Sequence, residues 1–177
     1  MPDFTDRMIR AAKLDVNLFE EVEADKGALG QATAVVILSS VAAGVGTIAR
    51  GGLGGIVAGT IAALIGWYIW AYLTYLIGTK LLPEPQTRAD VGELLRTIGF
   101  STSPGLIRVL GIVPALTGIV FLVASIWMLV AMVIAVRQAL DYSGTLRAVA
   151  VCLLGWIVQG LILGLLLSAL GGGAASV

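Results

Sequence analysis

DVGELLRTIGFSTSPGLIRVLGIVP, residues 90–114, lies between long apolar runs, and its reading decides how the rest of the chain is arranged. It carries Glu93, Arg96 and Arg108 and is interrupted by Ser101-Thr102-Ser103-Pro104. A lipid-facing helix excludes such residues, because charge and unsatisfied backbone are costly in hydrocarbon. The stretch is therefore expected to be a broken segment, buried against protein or lining a polar cavity. Both forms of the break, a packed kink and a polar site, stay open. It is the best candidate for a functional site.

Outward from this stretch the composition sets the class. Hydrophobic residues make up 58% of the 177, and the mean hydropathy is +0.99. Together with uncharged apolar runs longer than about 18 residues, this marks an all-α integral membrane protein. The runs are Ala28 to Ala49, about Leu53 to Thr79, Ala115 to Val136 and Ala148 to Leu170. Residues 1–27 read as an amphipathic cytoplasmic or interfacial segment, residues 28–170 as a transmembrane bundle, and residues 171–177 as a flexible tail. In the N-terminal segment Phe4, Met8, Ala11 and Ala12 share one helical face, and Asp15 caps a second short helix with Leu18, Phe19 and Val22 inward. The first apolar run is too long for a cleavable signal, so it is expected to be retained.

Glycines divide into two expected roles. Arg50-Gly-Gly-Leu-Gly-Gly55 reads as a tight turn between the first two spans. Gly55 and Gly59 in one span, and Gly160 and Gly164 in the last, have the small-xxx-small spacing that brings helices close. Tyr72 and Tyr75 fit an interfacial aromatic belt, whereas Trp67 and Trp70 are expected to fill gaps in the bundle. Cys152, the one cysteine, reads as a small packed hydrophobe.

Basic residues discriminate between two topologies. If residues 90–114 cross the membrane, there are five spans with a broken third. Nine of the 11 Lys and Arg then lie on or near the N-terminal side, Arg50 lies opposite and Arg108 within the crossing. If the stretch is a re-entrant hairpin, four spans remain, and Arg137 and Arg147 join Arg50 on the far side. The positive-inside rule favours five, with the N-terminus inside and the C-terminus outside. At ~1.5 Å per residue, a helical 90–113 is long enough to cross, and the break falls near the midplane. Arg96 and Arg108 each sit inside one end of such a crossing. Glu93 and Arg96 have i, i+3 spacing for an ion pair, and Arg96 or Arg108 suits an anionic lipid head group.

The same residues carry a family resemblance. Ile98-Gly99-Phe100-Ser101-Thr102-Ser103-Pro104, followed by Ile112-Val113-Pro114, resembles the Gly-Tyr/Phe-x-x-x-Pro … Ile-Pro signature of the Yip domain family, the Ypt- or Rab-interacting multi-pass membrane proteins. The stretch Leu14-Asp-Val-Asn-Leu-Phe-Glu-Glu21 is most similar to prokaryotic members. The resemblance implies five spans, a cytosolic N-terminus and ties to trafficking, Rab binding and membrane shaping. It makes Gly99, Phe100, Ser101, Ser103, Pro104 and Pro114 the motif and helix-break positions. The long cytosolic region that precedes the spans in eukaryotic members has no counterpart here, which weakens a GTPase-binding expectation.

Several chemistries are disfavoured by composition. There is no histidine, which removes Ser-His hydrolysis, His-based zinc proteolysis and His proton relays. No two carboxylates lie within spans, and Gly51 to Gly55 lacks the Lys-Ser/Thr of a phosphate loop. No catalytic residue, metal or cofactor is expected. Scattered basic residues give no nucleic-acid face. The expected function is a non-enzymatic membrane organiser or adaptor in a prokaryotic cytoplasmic membrane, with membrane lipids and proteins at its cytoplasmic face as partners. Two alternatives stay open: a small transporter, channel or lipid-translocating protein using the break, and an accessory subunit of a membrane complex. Homo-oligomerisation also stays open.

Overall fold

Aspartates start the first helices. Asp3 accepts from the amide of Thr5 and opens α1 (Phe4–Ala12), and Asp15 accepts from Asn17 and opens α2 (Val16–Ala24). Leu14, at φ 63°, makes the sharp turn between them. Asp25 caps a single 3₁₀ turn, Lys26–Ala28, that leads into α3 (Leu29–Gly46). The computed structural model describes residues 3–171, without the side chains of Arg50 and residues 163–171, so most of the expected tail lies outside the described residues. The remaining elements are α4 (Ile48–Leu76), continued by a π turn over Ile77–Leu81, then α5 (Val91–Phe100), a 3₁₀ run over Ser103–Ile112, α6 (Thr117–Ala139) and α7 (Thr145–Gly171). No strand occurs among the described residues.

Four helical stretches are long and apolar enough to cross a membrane: Lys26–Gly46, Gly51–Leu81, Thr117–Ala139 and Thr145–Ile162. The protein is an integral membrane protein. Residues 90–114 form no continuous span, but α5 followed by the 3₁₀ run, both lying along α3. Asp90 and Glu93 start α5 as a reciprocal capping box, with bonds of 2.7 and 2.8 Å. The helix ends at Phe100 because Pro104 has no N–H to offer and cannot continue the ladder.

The hydroxyls of the interruption replace what the ladder loses. Ser101, Thr102 and Ser103 donate to the carbonyls of Ile98, Gly99 and Phe100, each at 2.7 Å. Thr97 does the same one turn earlier, to Glu93 at 3.0 Å. The last carbonyls of a helix have no partner within it, and these side chains supply one without water. Ser101 and Ser103 are buried, as are Gly99, Phe100 and Pro104 around them.

Close backbone approach fixes the path of this broken segment. Gly99 lies on Ala32, Gly105 on Ser39 and Gly111 on Gly46, so the segment runs parallel to α3 from one end to the other. Gly105, Arg108 and Gly111 are three apart, and in a 3₁₀ helix residues i and i+3 stack on one face. That face carries two glycines and lies against the α3 stripe Ala32, Val35, Ser39, Ala42 and Gly46. A Cβ on Gly46 would stand 2.1 Å from the carbonyl oxygen of Arg108.

Neighbouring helices are antiparallel to α3. Gly44 packs on Ile56 and Ser40 meets Thr60 at 3.2 Å across α3 and α4, while Phe121 near the start of α6 reaches Gly46. The reversal between α3 and α4 falls at residues 47–52, where Thr47 ends α3 and Gly52 (φ 59°, ψ −167°) breaks the helix, so it overlaps the start of the turn expected at 50–55. At the other end of α4 the π turn exposes the carbonyls of Gly78 and Leu82, which share the Tyr142 hydroxyl at 3.1 and 2.8 Å. This ties the α6–α7 connection to the end of the bundle that also holds α2.

The small-xxx-small positions do not pack as expected. A Cβ at Gly55, Gly59 or Gly160 meets nothing within 4 Å, so these residues face outward. Gly164 falls among the side chains not described. The close contacts belong to Gly44, Gly46, Gly78, Gly99, Gly105, Gly111 and Gly155. The helices are brought together by the broken segment and by Trp70, which lies against Gly155, so the GxxxG faces are left over.

Gly46→Ala is therefore expected to lower the thermal midpoint in detergent, by a clash that costs about 1–3 kcal/mol. Gly59→Ala, on an open helix face, should leave it unchanged or raise it, since alanine is favoured over glycine by about 0.5–1 kcal/mol. Equal midpoints for the two variants would contradict the packing described.

Candidate functional site: a groove beside the helix break and a polar platform below it

The groove has a volume of about 560 Å³ and lies at mid-height of the bundle, where Val36, Ser39 and Ser40 mark the middle of α3. Its walls are largely apolar, from Trp67 and Trp70 of α4, Met128 and Met132 of α6 and Trp156 of α7. Trp67 is fixed by a bond from its indole N–H to the carbonyl of Leu95, 3.1 Å away, and Trp70 meets Trp156 in a tilted contact with ring centres 6.4 Å apart. Polar groups reach the groove from Ser39, Ser125, Gln159, Thr102 and Arg108.

The structure separates residues that the sequence placed together. Ser101 and Thr102 line the groove, but their hydroxyl protons are already committed to the backbone. Gly99, Phe100, Ser103 and Pro104 lie behind them, in the packed interface with α3, α2 and α6. Pro114 is exposed in the turn before α6, at the far end of the bundle. Glu93 and Arg96 do not pair. The Glu93 carboxylate is taken by the amide of Asp90, and the Arg96 guanidinium turns to the carbonyls of Val22 and Glu23 at the end of α2, the first at 2.9 Å. A short N-capping bond within α5 outcompetes an i, i+3 ion pair worth only a few tenths of a kcal/mol.

Arg96 thus serves the docking of α1 and α2, which pack along α5 and α6 and reach to the level of Trp127. Arg7 is 2% exposed and reaches three partners at 2.8 Å: Glu21 of α2, Asp25 of the connection and Gln31 of α3. Burial works against its charge, but the hydrogen-bonded Asp25 and Glu21 overcome this and hold the guanidinium above its ordinary value. Arg10 bonds Asp15 and Glu21, so the Glu21 carboxyl, held mainly by Arg10 and also by Arg7, stays below its usual range. Trp127 donates to the carbonyl of Ala12 at 2.8 Å, which pins the tip of the α1–α2 hairpin to α6. Beneath it Gln138 meets Glu20, and Arg147 meets Glu84 at 3.4 Å.

One carboxyl of α2 is at odds with its surroundings. Glu23 has a buried Oε2 with no partner, and burial, then the charges of Glu20, Asp141 and Glu93, push it up to about 8 against a weaker pull from Arg96. A raised carboxyl pKa means that the folded protein holds a proton the unfolded chain has released. Stability from this group is complete below its ordinary 4.5 and is lost as pH rises towards 8.

With this geometry in view, comparison with known families is decisive. A model of the Yip1 domain matches residues 16–167. The chain belongs to the Yip1 domain family. Curated proteins and solved structures give no match. The matched stretch begins at the first residue of α2, and Arg7 fastens α1, which precedes that stretch, to it. Among the described residues no cluster of three metal-binding side chains occurs.

The sequence reading missed the groove because its walls come from α3, α4, α5, the 3₁₀ run, α6 and α7, which lie far apart in the chain. The signals were present, however, as isolated uncharged polar residues in apolar spans: Ser39 and Ser40, Ser125, and Gln159.

Arg7→Leu should release the hairpin, making residues 13–25 sensitive to limited proteolysis. Its cost should lie below the ~3–5 kcal/mol of breaking a fully buried pair, since Glu21 and Asp25, 30% and 38% exposed, can rehydrate. Glu23→Gln should raise the thermal midpoint above pH 8 and leave it unchanged near pH 4, as measured in detergent with each variant beside the parent. A shift that is equal at both pH values would remove the linkage.

Proposed function

We propose that this Yip1-family protein is a non-enzymatic membrane organiser or adaptor, of the trafficking or membrane-shaping type, that crosses the membrane five times with its N-terminus in the cytoplasm. The observation that carries this reading is the gathering of charge at one end of the bundle. Arg7, Arg10, Arg96 and Arg147 all engage partners there, among the α1–α2 hairpin, the loop after α4 and the α6–α7 connection. The opposite end, formed by residues 47–52 and 112–116, carries one basic residue, Arg50.

The course of residues 90–114 supports the fifth crossing. The segment accompanies α3 from the level of Ala32 to that of Gly46, so it spans the same depth as a helix long enough to cross. A re-entrant hairpin would return to its starting side. It would also place the α6–α7 connection at the end opposite Gly78 and Leu82, to which Tyr142 is bonded. The rigid, ion-paired hairpin and the loops beside it offer a polar platform for proteins at the cytoplasmic face.

Two measurements test the reading. In a Cys152→Ser background, Gly144→Cys should react with impermeant thiol reagents from the cytoplasmic side alone, and Ala115→Cys from the opposite side alone. Labelling of both from one side would overturn five crossings. In nanodisc and vesicle assays the purified protein should pass ions, solutes and lipids no faster than empty controls. Flux that disappears on Pro104 substitution would overturn the organiser reading in favour of transport.

A further inference from the structure

Arg108 is placed where an arginine has an obvious way out, and it does not take it. Its carbonyl lies against Gly46, the last residue of α3, at the end of the bundle. Long basic side chains so placed normally extend outward to the interface. Here the side chain turns inward. The Phe121 ring, itself in contact with Gly46 and Gly111, lies 5.5 Å from the guanidinium carbon, and the terminal nitrogen donates to Ser125 Oγ at 3.1 Å, one helical turn deeper along α6.

The guanidinium is left unfinished there. It has five N–H donors, and one is used by Ser125. Its Nε is buried without a partner, and no carboxylate pairs with it among the described residues. Arg96 provides the contrast, for the carbonyls of Val22 and Glu23 satisfy it inside the same broken segment. A cation left inside a membrane protein with open donors calls for an acceptor-rich anion, and a guanidinium fork fits phosphate or carboxylate oxygens.

The space in front of it defines the rest of the ligand. The groove that Arg108 lines has a volume in the range of small-molecule sites, and its far wall is tryptophan and methionine. Its rim includes Ile126 and Trp156, 56% and 46% exposed, on the surface that faces lipid. We infer that this groove is a binding site for an anionic acyl lipid of the surrounding bilayer, entered sideways past Ile126 and Trp156, with the phosphate oxygens on Arg108 and an acyl chain against Trp67, Trp70 and Met128. Ser39 and Gln159 supply the polar flank beside the head group. The site depends on the protein's residence in a membrane and is independent of any recruiting role at the cytoplasmic face.

The test uses the full chain in nanodiscs containing phosphatidylcholine with a minor fraction of phosphatidylglycerol, followed by native mass spectrometry of the lipid that remains after release. The expected result is one retained phosphatidylglycerol, with retention reduced about tenfold or more in Arg108→Gln, as befits loss of charge-assisted bonds. Gly66→Leu adds a side chain to the groove wall at a position where a Cβ meets nothing within 4 Å, and it should abolish retention with Arg108 intact. It reads the groove even if Arg108→Gln fails to fold. Equal retention of phosphatidylcholine, or undiminished retention in either variant, would overturn the assignment. If inorganic phosphate displaces the lipid, or protects the protein from heat as well as the lipid does, the ligand is a free anion and the lipid assignment falls.

Discussion

A helix that stops inside a packed bundle leaves carbonyl groups that apolar neighbours cannot satisfy, and the rest of this structure depends on how these groups find partners. At the end of α5 three consecutive hydroxyls, from Ser101, Thr102 and Ser103, turn back onto the carbonyls of Ile98, Gly99 and Phe100. With the backbone closed in this way, Pro104 can start a 3₁₀ run of unusual length without water at the junction. The change of helix type then sets the register. A three-residue repeat brings Gly105 and Gly111 onto one face, and that face lets the segment settle on the small-residue stripe of α3.

The broken segment is consequently the structural centre of the bundle. Both of its halves pack on α3 and α6, α5 packs on α4 as well, and through Arg96 the segment holds the end of α2. The groove beside it follows from the same geometry. Trp67 and Trp70 of α4 close on α5, and the space beyond them is lined by Arg108 and a few hydroxyl groups. The helix break thus has a packing side, made by Gly99, Phe100, Ser103 and Pro104, and an open side, made by Thr102 and Arg108.

The sequence showed its large features through hydropathy and helix punctuation. Long apolar runs located α3, α4, α6 and α7, since each span is specified locally by about 20 residues. Pro104 and the hydroxyl run marked the break, and Asp15 the start of α2, because caps and prolines act over three or four residues. What could not be read depended on neighbours distant in the chain. Gly55-x-x-x-Gly59 and Gly105-x-x-x-x-x-Gly111 look equally suited to close packing, yet the first faces outward, since only the 3₁₀ repeat selects the second. The partners of Arg96 lie more than 70 residues earlier, beyond the reach of any spacing rule, while the i, i+3 neighbour Glu93 was already occupied in its cap. Membership of the Yip1 family rests on the whole span of residues 16–167 and not on the short motif alone.

The attachments of the N-terminal hairpin carry a consequence for how the chain is assembled. α1 and α2 leave the ribosome first, and Arg7 can find Glu21 and Asp25 at once, because these partners are close in sequence. The contacts that seat the hairpin are made with Arg96, Trp127 and Gln138, which are synthesised 73 to 118 residues later. The hairpin can therefore close on itself and meet Gln31 of α3 early, but its seating on α5 and α6 is completed only once both have been made.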